Sequence, residues 1–224
     1  MTSTVKFYDL LSVHPNTWWS PNTYKTRLLL NYKQIPYTTI GIHYPDIADL
    51  SQKLGLGPNE RWPQWTLPII EHEGNVVRDS YAIAKYLDSK FPERKVIGDE
   101  CEKWLEYIRK NVVMAVWPMT GPMVPTILDE RDEKFFRETR KLPERQETHE
   151  KVVEAMKPMT DEIKKNGVIY GKQIHYADLV LASILLWVLR AKEEDFNKIM
   201  SLAGIDSWWD DMSQYLLEPN RTRL

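Results

Sequence analysis

The stretch 65-WTLPIIEHEGNVVRDS-80 decides how this chain is read. "WTLPII" reads as a short strand, Glu73-Gly74-Asn75 as a turn, and Val76 to Arg78 as a second short strand, which together make a hairpin. From Ser80 the pattern changes: Ile83, Tyr86 and Leu87 share one helical face, and Pro92 stops the run. Two details stand out. Pro68 enters a strand, where a residue without an N–H cannot donate to the ladder. Asp79-Ser80 falls where hairpin becomes helix; Ser80 is a good N-cap, and the free N–H groups there suit a carboxylate.

Upstream, Val5–Leu11 reads as a buried strand. Asn22–Gln34 carries Tyr24, Leu28 and Tyr32 as a helical stripe, and Tyr37–Tyr44 is an alternating, β-branched strand. Strand, helix, strand with short connections makes a βαβ unit with parallel strands. Leu54 to Pro63 is loop, broken by Gly55, Gly57 and Pro58. Downstream of Pro92–Glu100 the strand signals disappear. Trp104, Leu105, Ile108, Val112, Ala115 and Val116 keep helical spacing until Pro118 ends or kinks the run. The charged interval Arg131–Gly167 reads as two solvated helices, the second bent at Pro158. Tyr176–Ala191 is apolar nearly all round and too short to span a bilayer, so it is the expected central helix of an all-helical unit. The expected division is residues 1–91, a linker at 92–99, and residues 100–224.

Composition excludes several function classes. A formal charge of −2 over 224 residues leaves no electrostatic footprint for nucleic acid. No apolar run is long enough for a membrane span, and no basic-then-apolar leader opens the chain. One cysteine, Cys101, excludes an internal disulfide and fits a reducing compartment, so the cytoplasm is expected. His14, His43, His72, His149 and His175 show no ligand spacing, so no metal is expected. Nine tryptophans are unusual, and four of them lie between Trp18 and Trp65, which suggests an aromatic ligand surface.

An α/β unit ending in a hairpin and a helix, followed by an all-helical unit, resembles the glutathione transferase superfamily over essentially the whole chain. The resemblance implies a thioredoxin-like N-terminal domain with a cis Leu67-Pro68 bond, the Leu67 backbone pairing with the cysteinyl part of glutathione by strand addition. Asp79 and Ser80 would hold the γ-glutamyl end, with Gln64, Trp65 and Thr66 beside the tripeptide. "HYAD", His175–Asp178, matches the family's structural helix cap, with His175 in place of the usual hydroxyl residue, which weakens the motif. "SPNTYKTRLLLNYKQIPY" and "RWPQWTLPII" are similar to the fungal serine-type, etherase-related enzymes of the Fu/A-like class.

In serine-type members a serine opening the first helix donates to the glutathione sulfur, and Ser20, followed by Pro21, matches that position. A hydroxyl has one donor and two acceptor sites, so Ser20 is expected to cap the helix as well. Asn22 would supplement it. Tyr8 and Tyr24 are rivals, since other branches use a tyrosine; a thiol mechanism needs a cysteine between Trp18 and Tyr24, and none is there. Trp18, Trp19, Tyr24, Met114, Trp117, Met119 and Met123 are the expected walls of an electrophile site. The implied function is conjugation of glutathione to hydrophobic aromatic electrophiles, xenobiotic or wood-derived, by a cytosolic homodimer. Alternatives are glutathione-dependent aryl-ether cleavage, a ligandin-type binder with little turnover, and a non-enzymatic interaction module.

Overall fold

Val5, Phe7, Tyr8 and Leu10 are all buried in β1 (Val5–Leu10), the interior strand around which the first half assembles. The computed structural model describes residues 4–14, 17–60 and 63–216; Arg61 and Trp62, part of one stretch quoted for kinship, lie outside the described residues. Helix α1 (Pro21–Tyr32) carries the chain over to β2 (Tyr37–Ile42), which pairs parallel with β1 from Val5 opposite Tyr37 to Leu10 opposite Ile42. A crossover helix is what permits that parallel pairing. Helix α2 (Ile47–Lys53), to which the sequence reading assigns no element, follows a short 3₁₀ turn; seven residues are too few for a helical period to show. The hairpin is β3 (Ile69–His72) and β4 (Asn75–Arg78), antiparallel to each other, with β3 also antiparallel to β1. Its turn needs only two residues, Glu73 and Gly74, both left-handed at φ 50° and 76°. The four strands lie in the order β2-β1-β3-β4. Helix α3 (Ser80–Lys90) closes this half.

The second half is helical throughout: α4 (Cys101–Tyr107), α5 (Val113–Thr120), α6 (Glu130–Thr139), α7 (His149–Asn166), α8 (Tyr176–Ala191), α9 (Glu193–Ala203) and α10 (Asp206–Ser213). A π-helical turn, Ile108–Val112, joins α4 to α5, and a 3₁₀ segment, Gly121–Ile127, follows α5. Pro118 and Pro158 both lie inside helices, α5 and α7, so neither ends its run. Gly167, at φ 79°, closes α7 in the left-handed conformation that glycine adopts without steric cost. In α8 every residue from Tyr176 to Val188 is buried, and burial of each Leu or Ile there contributes about 1.5–3 kcal/mol. The cap of α8 rests on Asp178 rather than on a hydroxyl. Its Oδ2 accepts from the N–H of His175 at 2.9 Å, and its Oδ1 accepts from Ile169 N–H at 3.0 Å and Trp208 Nε1–H at 3.2 Å. No helix among the described residues is long and apolar enough to cross a membrane.

The halves are held together by α1, which packs on α8, and by a polar tie at the end of β2; within the first half, a buried ion pair fixes α1 to β1. Arg27 of α1 is 2% exposed and pairs with the fully buried Asp9 of β1 at 2.7 Å, its guanidinium stacked 4.5 Å from the centre of the Trp18 ring. At the far end of β2, His43 and the Tyr44 N–H both bond to the buried Asp132 of α6, at 3.0 and 2.7 Å.

Candidate active site

Helix α1 begins at Ser20, whose backbone is extended (φ −69°, ψ 126°) while Pro21 occupies the first helical position with its φ already suited to a helix. The Ser20 carbonyl accepts from the Tyr24 N–H at 3.0 Å and from the Thr23 hydroxyl at 3.2 Å. Its side chain makes no cap hydrogen bond. This corrects the expected dual role: the main chain starts the helix, and the hydroxyl is left uncommitted to it. That hydroxyl belongs to a residue lining a cavity of about 390 Å³ between α1, α5, α6 and α8.

The cavity has a polar end and an aromatic body. Asn22 and Lys25 join Ser20 from α1. Trp19, Tyr44, Trp117, Phe136 and Trp187 supply aromatic surface, and Val113, Val124 and Ile184 fill between them. Trp117 and Trp187 lie side by side, their ring centres 6.1 Å apart and their planes tilted by 32°. Arg140 and Lys141, from the end of α6, complete the wall. Of the residues expected there, Trp19 and Trp117 are in place, and five are not. Met114 is 63% exposed, and Met119 is fully buried in the core. Trp18 stacks under Arg27, while the Tyr24 hydroxyl donates to the Trp18 carbonyl and accepts from Arg190 Nε–H at 3.1 Å. Met123, half-buried in the 3₁₀ segment, does not line the cavity either. The physical reason for the methionines is phase. A π turn adds a residue to the helix just before α5, so the face that meets the cavity is Val113 and Trp117, four apart. That i, i+4 pair was the readable signal; Lys25, Phe136, Arg140, Ile184 and Trp187 come from separate elements and had none.

The hairpin end builds the second part of the site. Leu67-Pro68 is cis. The last registered β3–β4 pair is Ile69 with Arg78, so Leu67 lies beyond the cover of β4. Asp79 sits at φ 79° and caps α3, its Oδ1 accepting from the N–H groups of Tyr81 and Ala82, both at 2.9 Å. The acid, not Ser80, is therefore the cap; Ser80 is the first residue of the helix. Gln64 and Trp65 line an adjoining cleft of about 230 Å³ that shares Tyr44, Pro63 and Arg140 with the larger cavity. The Thr66 hydroxyl accepts from Asn59 Nδ2–H at 3.2 Å. Thr66, Leu67, Pro68, Asp79 and Ser80 line neither space.

The tyrosine rivals have their protons committed. Tyr8 donates to Glu71, and burial, then the Glu71 bond and charge, push its phenol above the usual 10. Burial likewise raises Tyr24, against the opposing Arg190 charge. Cys101 is buried at the start of α4, its thiol raised by burial, outside the cavity. The fold does gather one group that sequence spacing hid: His43 Nδ1 lies 3.2 and 3.0 Å from carboxylate oxygens of Asp129 and Asp132. Asp129 also caps α6 through the Asp132 N–H, so the group is accounted for as a tie between halves.

Lys25 carries a pH signature. Burial pushes its ammonium down to about 8, against the opposing pull of Asp79, and its Nζ donates to Asn22 Oδ1 at 2.9 Å. The unfolded chain holds this proton to the ordinary 10.5 and the folded chain releases it near 8. In that window the unfolded state binds more protons, so stability rises with pH between about 8 and 10.5. Urea unfolding of the parent and Lys25→Met across pH 7 to 10 should show the variant lacking this increment. Parallel pH profiles would refute it.

Comparisons with known proteins agree with this architecture. Residues 19–90 match the family model for the glutathione S-transferase N-terminal domain, and residues 102–218 that for the C-terminal domain. The glutathione S-transferase-like protein ustS of Aspergillus flavus is 31% identical over 90% of this chain and 86% of its own. Among solved structures, glutathione transferase GSTFuA3 from Phanerochaete chrysosporium superposes with a TM-score of 0.88 at 26% identity, covering 98% of this chain and 100% of that one. The glutathione S-transferase CsGST63524 of Ceriporiopsis subvermispora, solved in complex with glutathione, gives 0.84 at 29% identity over 97% and 99% of the two chains.

Proposed function

The chain belongs to the glutathione transferase family, and from that premise we propose that Ser20 holds the glutathione sulfur as a thiolate for attack on hydrophobic aromatic electrophiles in the adjoining cavity. The observation that carries this reading is the Ser20 hydroxyl, uncommitted to the helix and set in the wall of an aromatic cavity. A thiol of pKa ~8.5 is only a few per cent ionised at neutral pH, and lowering it by ~2 units takes about 2.7 kcal/mol of preference for the thiolate. A charge-assisted O–H···S⁻ bond contributes ~1.5–3 kcal/mol, and the positive end of a helix up to ~1 kcal/mol. Those two are enough without removing the Ser20 proton. The cation of Lys25 and the amide of Asn22 add to the same field. The thiolate then forms a C–S bond to the electrophilic carbon as the leaving group, such as halide or aryloxide, departs with the C–X electron pair. An aryloxide leaving group makes aryl-ether cleavage a variant of the same step.

Leu67 and Pro68 would align the tripeptide backbone, with Gln64 and Thr66 beside it, and Asp79 with Ser80 would receive the γ-glutamyl end. The ammonium of that end meets the Asp79 oxygen not used in the cap, and its carboxylate meets the N–H and hydroxyl of Ser80, which the Asp79 cap does not use. Asp79→Ala should therefore weaken glutathione binding at least ~10-fold by calorimetry and also lower the melting temperature, because the cap is lost. Unchanged affinity would remove Asp79 from the site. Ultraviolet titration of the bound thiol tests the reading as a whole: a thiol in the complex titrating at its free value would sink it. The paired Trp117 and Trp187 rings in the cavity wall support a second reading, a ligandin-type binder, which near-zero conjugation with tight binding of aromatics would favour. A cytosolic homodimer is proposed on kinship.

A further inference from the structure

The Ser20 side chain makes no hydrogen bond to the helix it opens, so its aim depends on how the loop before it is held. Two of the loop's ties come from one residue. Tyr24, buried one turn into α1, donates its N–H to the Ser20 carbonyl at 3.0 Å and its hydroxyl to the Trp18 carbonyl. It therefore grips both ends of the Trp18–Ser20 segment. The Trp19 ring between them is pinned by its Nε1–H, which donates to the Leu11 carbonyl at 3.0 Å. The Tyr24 phenol oxygen accepts in turn from Arg190 Nε–H at 3.1 Å. Arg190 lies near the end of α8, about one helical turn after the cavity wall Trp187. The other charged groups near the phenol, Asp9 and Arg27, are paired with each other. Donation from Arg190 strengthens the phenol's own bond to the Trp18 carbonyl, because successive hydrogen bonds polarise one another.

We infer that Tyr24 is a positioning residue for the thiolate: through the Trp18 carbonyl it sets where the Ser20 hydroxyl points, and Arg190 of the helical half sets Tyr24. The inference deepens the proposed conjugation and rests on that reading for the role of Ser20. Tyr24 itself lines no part of the cavity, so its hydroxyl acts only through the loop. Displacing a group at a reacting centre by about 1 Å costs on the order of 10²-fold. A loop that loses the phenol but keeps its backbone bond to Ser20 should lose less, about tenfold, which corresponds to one unit of thiol pKa.

Tyr24→Phe keeps the packed ring and removes only the hydroxyl. Ultraviolet titration of glutathione bound to the full chain should show the thiol about one unit nearer its free value than in the parent, with calorimetric affinity within about threefold. The rate constant kcat/KM should fall about tenfold near pH 6.5 and match the parent near pH 9. Arg190→Met, at an exposed position, should move the titration the same way by about half a unit, and it carries the test if Tyr24→Phe does not fold. Added to Ser20→Ala, Tyr24→Phe should leave the titration where Ser20→Ala alone puts it, because the hydroxyl being aimed is gone. A parental titration in either variant, or a further shift when Tyr24→Phe joins Ser20→Ala, overturns the inference while the role of Ser20 stands. A loss of equal size at every pH overturns it as well, since that marks damage to the fold and not to the aim of Ser20. If Ser20→Ala alone leaves the thiol at the parent's value, the Ser20 reading fails and takes this inference with it, so the two failures are distinguishable.

Discussion

Ser20→Ala is expected to lower kcat/KM for glutathione conjugation about 50-fold near pH 6.5, with glutathione affinity within about threefold of the parent. The size follows from ionisation. A bound thiol lowered by ~2 units is about half thiolate at that pH, whereas one near ~8.5 is about one per cent thiolate. The loss should therefore shrink toward pH 9, where both proteins hold the nucleophile ionised, and that convergence separates loss of thiolate stabilisation from general damage. Affinity is retained because the tripeptide is gripped elsewhere, by the Leu67 backbone and the start of α3. A variant whose deficit is the same at every pH would show that Ser20 acts by some other route. If Ser20→Ala matches the parent throughout, another group holds the sulfur; Tyr8 and Tyr24 are poor substitutes, because both hydroxyls are already bonded.

Arg27→Met should cost about 3–5 kcal/mol of folding stability, the largest effect of any single change considered. Asp9 is fully buried and would be left with no cation in a low-dielectric site. The Asp9 carboxyl already stands above its usual range because burial outweighs the Arg27 charge, so the unpaired acid would fold protonated. Combining Arg27→Met with Asp9→Leu removes both charges and should recover much of the loss, since a buried pair repays little beyond its own desolvation. Urea unfolding of the two single variants and the double measures this coupling. Additive losses would mean the pair is energetically independent despite its 2.7 Å contact. The same arginine stacks on Trp18, so its loss should also loosen the loop that delivers Ser20.

Helix α8, the hairpin and the β1-α1-β2 unit were legible because their signals are local: an all-round apolar run, a glycine turn between short strands, and a strand-helix-strand rhythm. Helix α2 was not, because seven residues hold under two turns. The caps were half legible. Asp79-Ser80 announced a helix start, but which residue caps depended on a left-handed backbone at Asp79 that the sequence does not display. Met114 and Met119 misled for a related reason: the π turn shifts the phase of everything after it, and no residue type marks that turn.

The order of the main elements from β1 to α8 apart from α2, the division into an α/β and a helical half, and the position of Ser20 at the mouth of α1 were determined by the sequence alone, since each depends on neighbours within a few residues. The cavity was decided only in three dimensions. Its walls come from α1, α5, α6, α8 and the end of β2, where Ser20, Trp117, Arg140 and Trp187 meet across more than 160 residues of chain. Such a meeting is set by how helices pack and rotate against one another, a property of the assembled core that periodicity along the chain does not encode.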